Sequence, residues 1–545
     1  MSTHEAAQKA LLDVRNLSVG IRRKAGHLPI IDRCSFVVNT GEIVALVGES
    51  GCGKTLTSLS ISRLLPSVVE ITGGEILFHR GEGGETVNLR FLGEKELCGI
   101  RGKEIAMIFQ EPRQSLNPLM RIGEQIAEAP KLHGGTSTRA DVAELLRRLK
   151  FPNPERILGA FPHQLSGGMC QRVMIAIATI CRPKLLIADE PTSSLDTENQ
   201  DNIIALLGQI NREFGTAVLF ISHDLSLVRR FCDRTLVMRK EKIMEEGPSE
   251  SVFSAPTHPY TAELVGAIPG SIPPQGGITN IANVTSISIT RKAMPFISMR
   301  GLSNAYVSRS FGLFGKREMK PVLRNVNLDI ATGEIFGLAG ESGGGKSTLA
   351  RCILGLIDYD GEILIDGRLQ QNAFRGNGGK SRFGGGTVQM IFQEPGASLN
   401  PTKKIGWLLE EPLVIHRRSL DCGGTAQERS RMVDEMLELV GLEPFHKARR
   451  VHELSGGQKQ RACIGRALML KPKMLIADEA VSSLDVFSGV QILCLFRDLR
   501  ETLGLTILFI SHDMAATECL CDRIAVMKDG AIDGNLRDSQ ARTVL

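Results

Sequence analysis

Gly48-Glu49-Ser50-Gly51-Cys52-Gly53-Lys54-Thr55 follows the apolar run 43–47. It returns as Gly340-Glu341-Ser342-Gly343-Gly344-Gly345-Lys346-Ser347 behind a second apolar run at 335–339. G-x-x-x-x-G-K-[ST] between a strand and a helix is a phosphate-binding loop. Its glycines let backbone N–H groups wrap phosphate at a helix N-terminus, where the helix dipole also favours an anion. The pattern predicts a helix opening at each lysine. It places Lys54 and Lys346 on the β- and γ-phosphates of a nucleotide, and the Thr55 and Ser347 hydroxyls on Mg²⁺.

Working outward, the whole chain repeats once. Ile108-Phe-Gln110-Glu-Pro112 returns as Ile391-Phe-Gln393-Glu-Pro395, each running into Ser-Leu-Asn-Pro. Leu165-Ser166-Gly167-Gly168 returns as Leu454-Ser455-Gly456-Gly457, and Phe220-Ile-Ser-His223-Asp224 as Phe509-Ile-Ser-His512-Asp513. The offsets are nearly constant: 346 − 54 gives 292, 393 − 110 gives 283, and 455 − 166, 478 − 189 and 512 − 223 all give 289, the variation falling on either side of the glutamine. Two copies of one domain are therefore fused, with expected limits 1–270, a linker at 271–295 and 296–545. The seam opens with Pro269-Gly-Ser-Ile-Pro-Pro-Gln-Gly-Gly277, which straddles the start of the linker and has no periodicity to support a helix or strand. Apolar strand-length runs alternating with helical stretches indicate an α/β fold, each copy having a mainly parallel buried sheet.

Each copy also delivers a carboxylate pair. Leu-Leu-Ile-Ala-Asp189-Glu190 and Met-Leu-Ile-Ala-Asp478-Glu479 are buried strands ending in two acids. Beside the phosphate loop, the aspartate suits the Mg²⁺ shell and the glutamate suits a general base on an attacking water. An isolated Asp-Glu is most often a solvated turn, but not twice at matched spacing. His223 and His512, each 34 residues past the aspartate (223 − 189; 512 − 478), are placed near the γ-phosphate.

Bulk composition sets outer bounds. The 545 residues carry a net charge of +5, 42% hydrophobic and 23% charged residues, ordinary for a globular chain without a dedicated nucleic-acid surface. The twelve cysteines include no C-x-x-C pair, so no zinc or iron–sulfur site is expected and the thiols read as reduced. No secretory signal is visible at residues 1–12, and every apolar run is far short of the roughly 20 residues that cross a bilayer. A chain that is soluble by itself is expected.

The Leu-Ser-Gly-Gly-Met-Cys-Gln-Arg (165–172) and Leu-Ser-Gly-Gly-Gln-Lys-Gln-Arg (454–461) blocks resemble the signature of ATP-binding-cassette (ABC) ATPases. The resemblance implies that Gln110 and Gln393 belong with the catalytic and Mg²⁺-shell residues, and that Asp196 and Asp485 follow the catalytic carboxylates. It also implies that ATP at Lys54 is completed by Ser455, and ATP at Lys346 by Ser166. The Phe-Gln-Glu-Pro and Ser-Leu-Asn-Pro blocks, with His258-Pro-Tyr-Thr261 and Ile268-Pro269 after the first cassette, are similar to the ATPase subunits of bacterial oligopeptide, dipeptide and nickel importers. The fused arrangement resembles those for glutathione or small peptides.

From this follow an ATPase with ATP and Mg²⁺ and a place at the cytoplasmic face of the inner membrane. Two separate permease subunits would be its partners, fed by a solute-binding protein, and their docking surface is expected at 112–165 and 395–454. A nucleic-acid- or ribosome-associated ABC ATPase is the competing reading. The zinc-binding cysteine pairs, coiled-coil insertion and long charged linker typical of that branch are all missing.

Three features depart from the resemblance. Residues 270–296 hold no cysteine, so no iron–sulfur centre is expected there. The stretch 533–545 carries no second His-Pro-Tyr-Thr. Finally, Tyr306 fits the aromatic residue that stacks on adenine in the second copy, whereas Ile21 occupies that position in the first, with Arg22 and Arg23 beside it.

Overall fold

The computed structural model describes residues 9–23, 26–80, 85–193, 195, 197–267, 295–309, 317–341, 343–370, 386–416, 424–482 and 484–538. The chain forms two compact units, Met1–Ser271 and Ile272–Leu545. All of the linker expected at 271–295 except Pro295 falls outside the described residues, as does the tail from 539.

In the first unit a six-stranded sheet has the order Lys242–Pro248, Arg234–Arg239, Ile43–Gly48, Ala217–Ile221, Leu185–Asp189, Ile105–Ile108. Every pairing is parallel except that of the Lys242–Pro248 edge strand. Three strands in the middle of this order, Ile43–Gly48, Ala217–Ile221 and Leu185–Asp189, are buried along their whole length. That explains why they read as unbroken apolar runs rather than alternating ones. Parallel pairing also has a functional consequence. It brings the C-terminal ends of strands 43–48, 185–189, 217–221 and 105–108 to one sheet edge, and the loops bearing Lys54, Glu190, His223 and Gln110 all leave from there.

The second unit repeats this order as Ala531–Asp538, Arg523–Lys528, Ile335–Ala339, Thr506–Ser511, Met474–Asp478, Val388–Ile391. Helices Lys54–Ile61 and Lys346–Ile353 begin at the lysines, as the glycine-loop pattern predicts.

Each unit also has a second sheet, four-stranded and antiparallel, which the apolar runs do not announce. It is built from Gly26–Asn39, Ala10–Arg23, Val69–His79 and Thr86–Asn88 in one unit. Arg317–Ala331, Pro295–Arg309, Asp360–Ile365 and Arg368–Leu369 form its counterpart. Its long strands carry several register shifts, which break the period-2 alternation that identifies a strand in sequence.

Between glutamine and signature, the first unit runs through helices Ile122–Leu132, Arg139–Arg148 and Pro154–Leu158. The second unit has Ile405–His416 and Ala426–Leu439 there. Thr138 with Asp141, and Thr425 with Glu428, close capping boxes that fix where the second of these helices starts in each unit. Among the described residues no helix is long and apolar enough to cross a membrane.

Candidate active site

The phosphate loops are shaped by a backbone collision that only glycine avoids. Gly48 has φ 151°, and a Cβ there would lie 2.1 Å from the Met238 carbonyl oxygen of the neighbouring strand; at Gly340 the clash is with Met527, at 2.2 Å. Beyond this turn, Lys54 Nζ donates to the Gly48 and Glu49 carbonyls, at 2.8 Å each. Lys346 Nζ donates to Gly340 at 2.6 Å and to Glu341 at 2.9 Å. Both ammonium groups are thus held by the loop that each helix follows. Both lysines are buried, at 7% and 5% exposure. Ser50 and Gly51 lie exposed at the loop tip, while Cys52 and Gly53 are buried. Ser342 falls outside the described residues.

The carboxylate strand meets the loop as its sequence suggests. Thr55 Oγ1 donates to Asp189 Oδ1 at 3.3 Å, and Ser347 Oγ to Asp478 Oδ1 at 3.2 Å. Burial raises the Asp189 carboxyl to about 6, against the opposing hydrogen bond from Thr55, and burial likewise raises Asp478.

One residue further on, Gln110 Nε2 donates to Glu190 Oε2 at 2.7 Å, and Gln393 Nε2 to Glu479 Oε2 at 2.7 Å. His223 Nδ1 lies 3.4 Å from Glu190 Oε2, and His512 Nδ1 lies 3.5 Å from Glu479 Oε1. Burial alone would raise Glu190. The hydrogen bond and charge of His223, with Lys54 and Gln110, outweigh it and hold this carboxyl below its ordinary value. In return His223 is raised: burial opposes its charge, but Glu190 prevails. At His512 the contact with Glu479 is the largest influence, and the result is again upward. The adjacent acids of the first unit are therefore driven apart, Asp189 up and Glu190 down, which leaves Glu190 the better-ionised base.

Both glutamates sit in the left-handed region, Glu190 at φ 46° and Glu479 at φ 50°. Such a backbone is unfavourable for a residue with a Cβ and is found at sites where the surroundings dictate it. Here the Glu190 N–H donates to the Ile221 carbonyl at 2.9 Å, and that of Glu479 to Ile510 at 2.9 Å, locking the turn to the histidine strand. Sequence reasoning missed this conformation, since nothing in Ala-Asp-Glu indicates a positive φ.

The signature serines begin helices, as expected for a second anion site. Ser166 caps Gly167–Thr179 by accepting from the Met169 N–H, and Ser455 caps Gly456–Leu468 by accepting from the Gln458 N–H, both at 3.3 Å. Gln458 also accepts from the Ser455 N–H, closing a capping box that Met169 has no side-chain acceptor to form. Gly168 faces Asn199, and a Cβ on Gly457 would stand 3.0 Å from Ser488 Oγ. The Ser-Gly-Gly helix thereby touches the helix that follows the Asp-Glu pair. Asp485 caps that helix, Val486–Leu503, by accepting from the Ser488 N–H at 3.0 Å. Its counterpart Asp196 falls outside the described residues.

The structure places Tyr306 and Ile21 differently. Tyr306 is 43% exposed, opposite Lys320 in the antiparallel sheet. Ile21 is half-buried, paired with Leu28 on one side and Val69 on the other. Arg22 is ion-paired with Glu70, which also meets His27 Nε2 at 3.1 Å, so its guanidinium already has a carboxylate partner.

Two phosphate loops, each with its hydroxyl–aspartate pair, its glutamine–glutamate–histidine cluster and a serine-capped signature helix, define a tandem nucleotide-hydrolysing protein. The chain belongs to the ABC transporter family, whose sequence profile it matches at residues 31–193 and 323–482. It is 40% identical over 543 residues to the "Glutathione import ATP-binding protein GsiA" of Pectobacterium atrosepticum, covering 96% of this chain and 86% of that protein. To the protein of the same name in Salmonella typhimurium it is 41% identical over 549 residues, covering 97% and 86%. To the "Uncharacterized ABC transporter ATP-binding protein YejF" of Escherichia coli it is 39% identical over 528 residues, covering 96% and 95%. It is thus an ATP-binding protein of two ABC cassettes, and an ATPase.

Proposed function

We propose that the chain hydrolyses ATP in both units to energise import of peptides or peptide-like solutes. Its partners in this reading are two membrane-spanning permease subunits, fed by a solute-binding protein, at the cytoplasmic face of the inner membrane. The observation that carries the hydrolytic part is the duplicated glutamine–glutamate–histidine cluster one residue past the Thr55–Asp189 and Ser347–Asp478 pairs. The import part rests on the printed names of the relatives that match nearly the whole chain. The solute is kept as wide as peptide-like, because a relative of comparable identity has no named solute.

In the proposed reaction, Lys54 and Lys346 hold the β- and γ-phosphates, with the backbone N–H groups of 48–55 and 340–347 around them. Ser166, Gly167 and Gly168, with Ser455, Gly456 and Gly457, offer further N–H groups to phosphate. Glu190 and Glu479 accept a proton from the attacking water, oriented by Gln110 or Gln393, while His223 and His512 approach the γ-phosphate. Thr55 with Asp189, and Ser347 with Asp478, are pairs of hard oxygen donors that suit Mg²⁺, joined by Gln110 and Gln393. Bound there, Mg²⁺ would neutralise phosphate charge.

The test is to co-express the chain with candidate permease subunits and its solute-binding protein in vesicles. Retention on the vesicles and ATPase activity stimulated by peptide are expected. Stimulation by DNA or ribosomes without retention would refute the import reading.

Stacking of adenine on Tyr306 belongs to the same proposal, and Ile21 offers no ring for it. In a Lys346→Ala background, Ile21→Tyr is expected to tighten nucleotide binding at the Lys54 site by about fivefold or more, the equivalent of base–aromatic stacking. Titration with a fluorescent ATP analogue measures this, and an unchanged affinity would sink the idea.

A further inference from the structure

The first unit carries, behind its phosphate loop, a support that neither the signature nor the carboxylates require. Helix Pro259–Gly266 is the segment marked by His-Pro-Tyr-Thr, and it is firmly fixed. His258 Nδ1 accepts from the Tyr260 N–H at 3.1 Å. Glu245, on the edge strand, accepts from the Thr257 N–H and hydroxyl, both at 2.8 Å, and from the His258 N–H at 3.0 Å. This anchoring sinks Tyr260 to 1% exposure.

The Tyr260 ring lies under the Arg239 guanidinium, 4.3 Å from centroid to Cζ. Arg239 ends the strand Arg234–Arg239, directly after Met238, which pairs with Gly48 and whose carbonyl leaves no room for a side chain there. Its Nε is 3.9 Å from Glu49 Oε1. Glu49 in turn supplies one of the two carbonyls that hold Lys54 Nζ. The series therefore runs from an aromatic face to a planar cation and on to Glu49, whose carboxylate faces Arg239 and whose backbone carbonyl holds Lys54. Burial raises the Tyr260 phenol, and the nearby Glu49 carboxylate raises it further.

In the second unit the strand-to-loop contact is kept, with Met527 against Gly340, but Lys528 replaces Arg239 and is exposed. An ammonium lacks the flat face that stacks on a ring, so no equivalent lever exists there among the described residues.

We propose that Tyr260, acting through Arg239, is a positioning residue for the first phosphate-binding loop, so that helix Pro259–Gly266 sets nucleotide affinity at the Lys54 site and not at the Lys346 site. This rests on the reading of Lys54 as a nucleotide ligand. It gives the His-Pro-Tyr-Thr segment a task within the ATPase cycle, and it makes the two sites unequal by a route separate from adenine stacking.

The experiment is titration of the full chain with a fluorescent ATP analogue and Mg²⁺, reading one site at a time in Lys346→Ala and Lys54→Ala backgrounds. Tyr260→Ala is expected to weaken the Lys54 site by about tenfold and leave the Lys346 site within about twofold, while Tyr260→Phe, which keeps the ring, stays close to the parent. Arg239→Lys leaves the helix untouched and is expected to weaken the same site alone, so the test holds even if Tyr260→Ala misfolds. Equal weakening at both sites, or no change with either variant, overturns the proposal. Absence of binding in the Lys346→Ala parent would overturn the Lys54 reading itself, and this inference with it.

Discussion

Changing Glu190 and Glu479 together to glutamine is expected to lower the ATPase kcat by at least about a hundredfold while nucleotide affinity stays near that of the parent. The expectation follows from what the two carboxylates touch. Each accepts from a glutamine amide at 2.7 Å and faces a histidine Nδ1 at 3.4 or 3.5 Å, while the lysine of the loop is held by backbone carbonyls. These contacts suit the proposed role on water rather than a role in binding phosphate. Glutamine has the same shape and tolerates φ near 50° about as well as glutamate, so the melting temperature is expected to be unchanged. Turnover that survives the double change would remove Glu190 and Glu479 from the general-base role.

Gly48→Ala is expected to abolish nucleotide binding at the Lys54 site and to destabilise the first unit by on the order of 3 kcal/mol or more. Two costs combine. The backbone at φ 151° disfavours any side chain, and the new methyl would stand 2.1 Å from the Met238 carbonyl oxygen, far inside contact distance. Neither partner can yield easily, because Gly48 and Met238 are paired in the parallel ladder. A displaced Gly48 also moves a carbonyl that holds Lys54. Gly51→Ala is the control, since its φ is 83° but nothing lies within 4 Å of the added carbon. Only conformational strain of about 1 kcal/mol applies there, and most binding is expected to persist. Calorimetry and nucleotide titration separate the two, and equal effects would show that crowding by Met238 is not what requires glycine.

Much of the site is legible in the chain because its chemistry is local. The glycine loop, the Asp-Glu pair and the signature serine are each short runs in which residue type and order suffice. The constant spacing places the outlying His223 with them, and the family resemblance adds Gln110. The parallel sheet is legible for a related reason: strands buried on both faces appear as unbroken apolar runs. The antiparallel sheet escapes because bulges interrupt its alternation, so Ala10–Arg23 and Gly26–Asn39 look like mixed segments.

Sequence by itself determined that there are two cassettes, and it singled out the loops, acids and hydroxyls that the fold then brings together. Tertiary structure alone decided three further matters. It turned Glu190 and Glu479 into the left-handed region by tying their N–H groups to the histidine strands. It separated the acidity of Asp189 from that of its neighbour Glu190, because burial acts on both but only Glu190 gains a histidine. And it brought Tyr260, some two hundred residues along the chain, against the arginine beside the first loop. Each depends on groups distant in sequence and adjacent in space, and local pattern contains no record of such distances. The phosphate loop is a property of eight residues; how firmly it is held is a property of the fold.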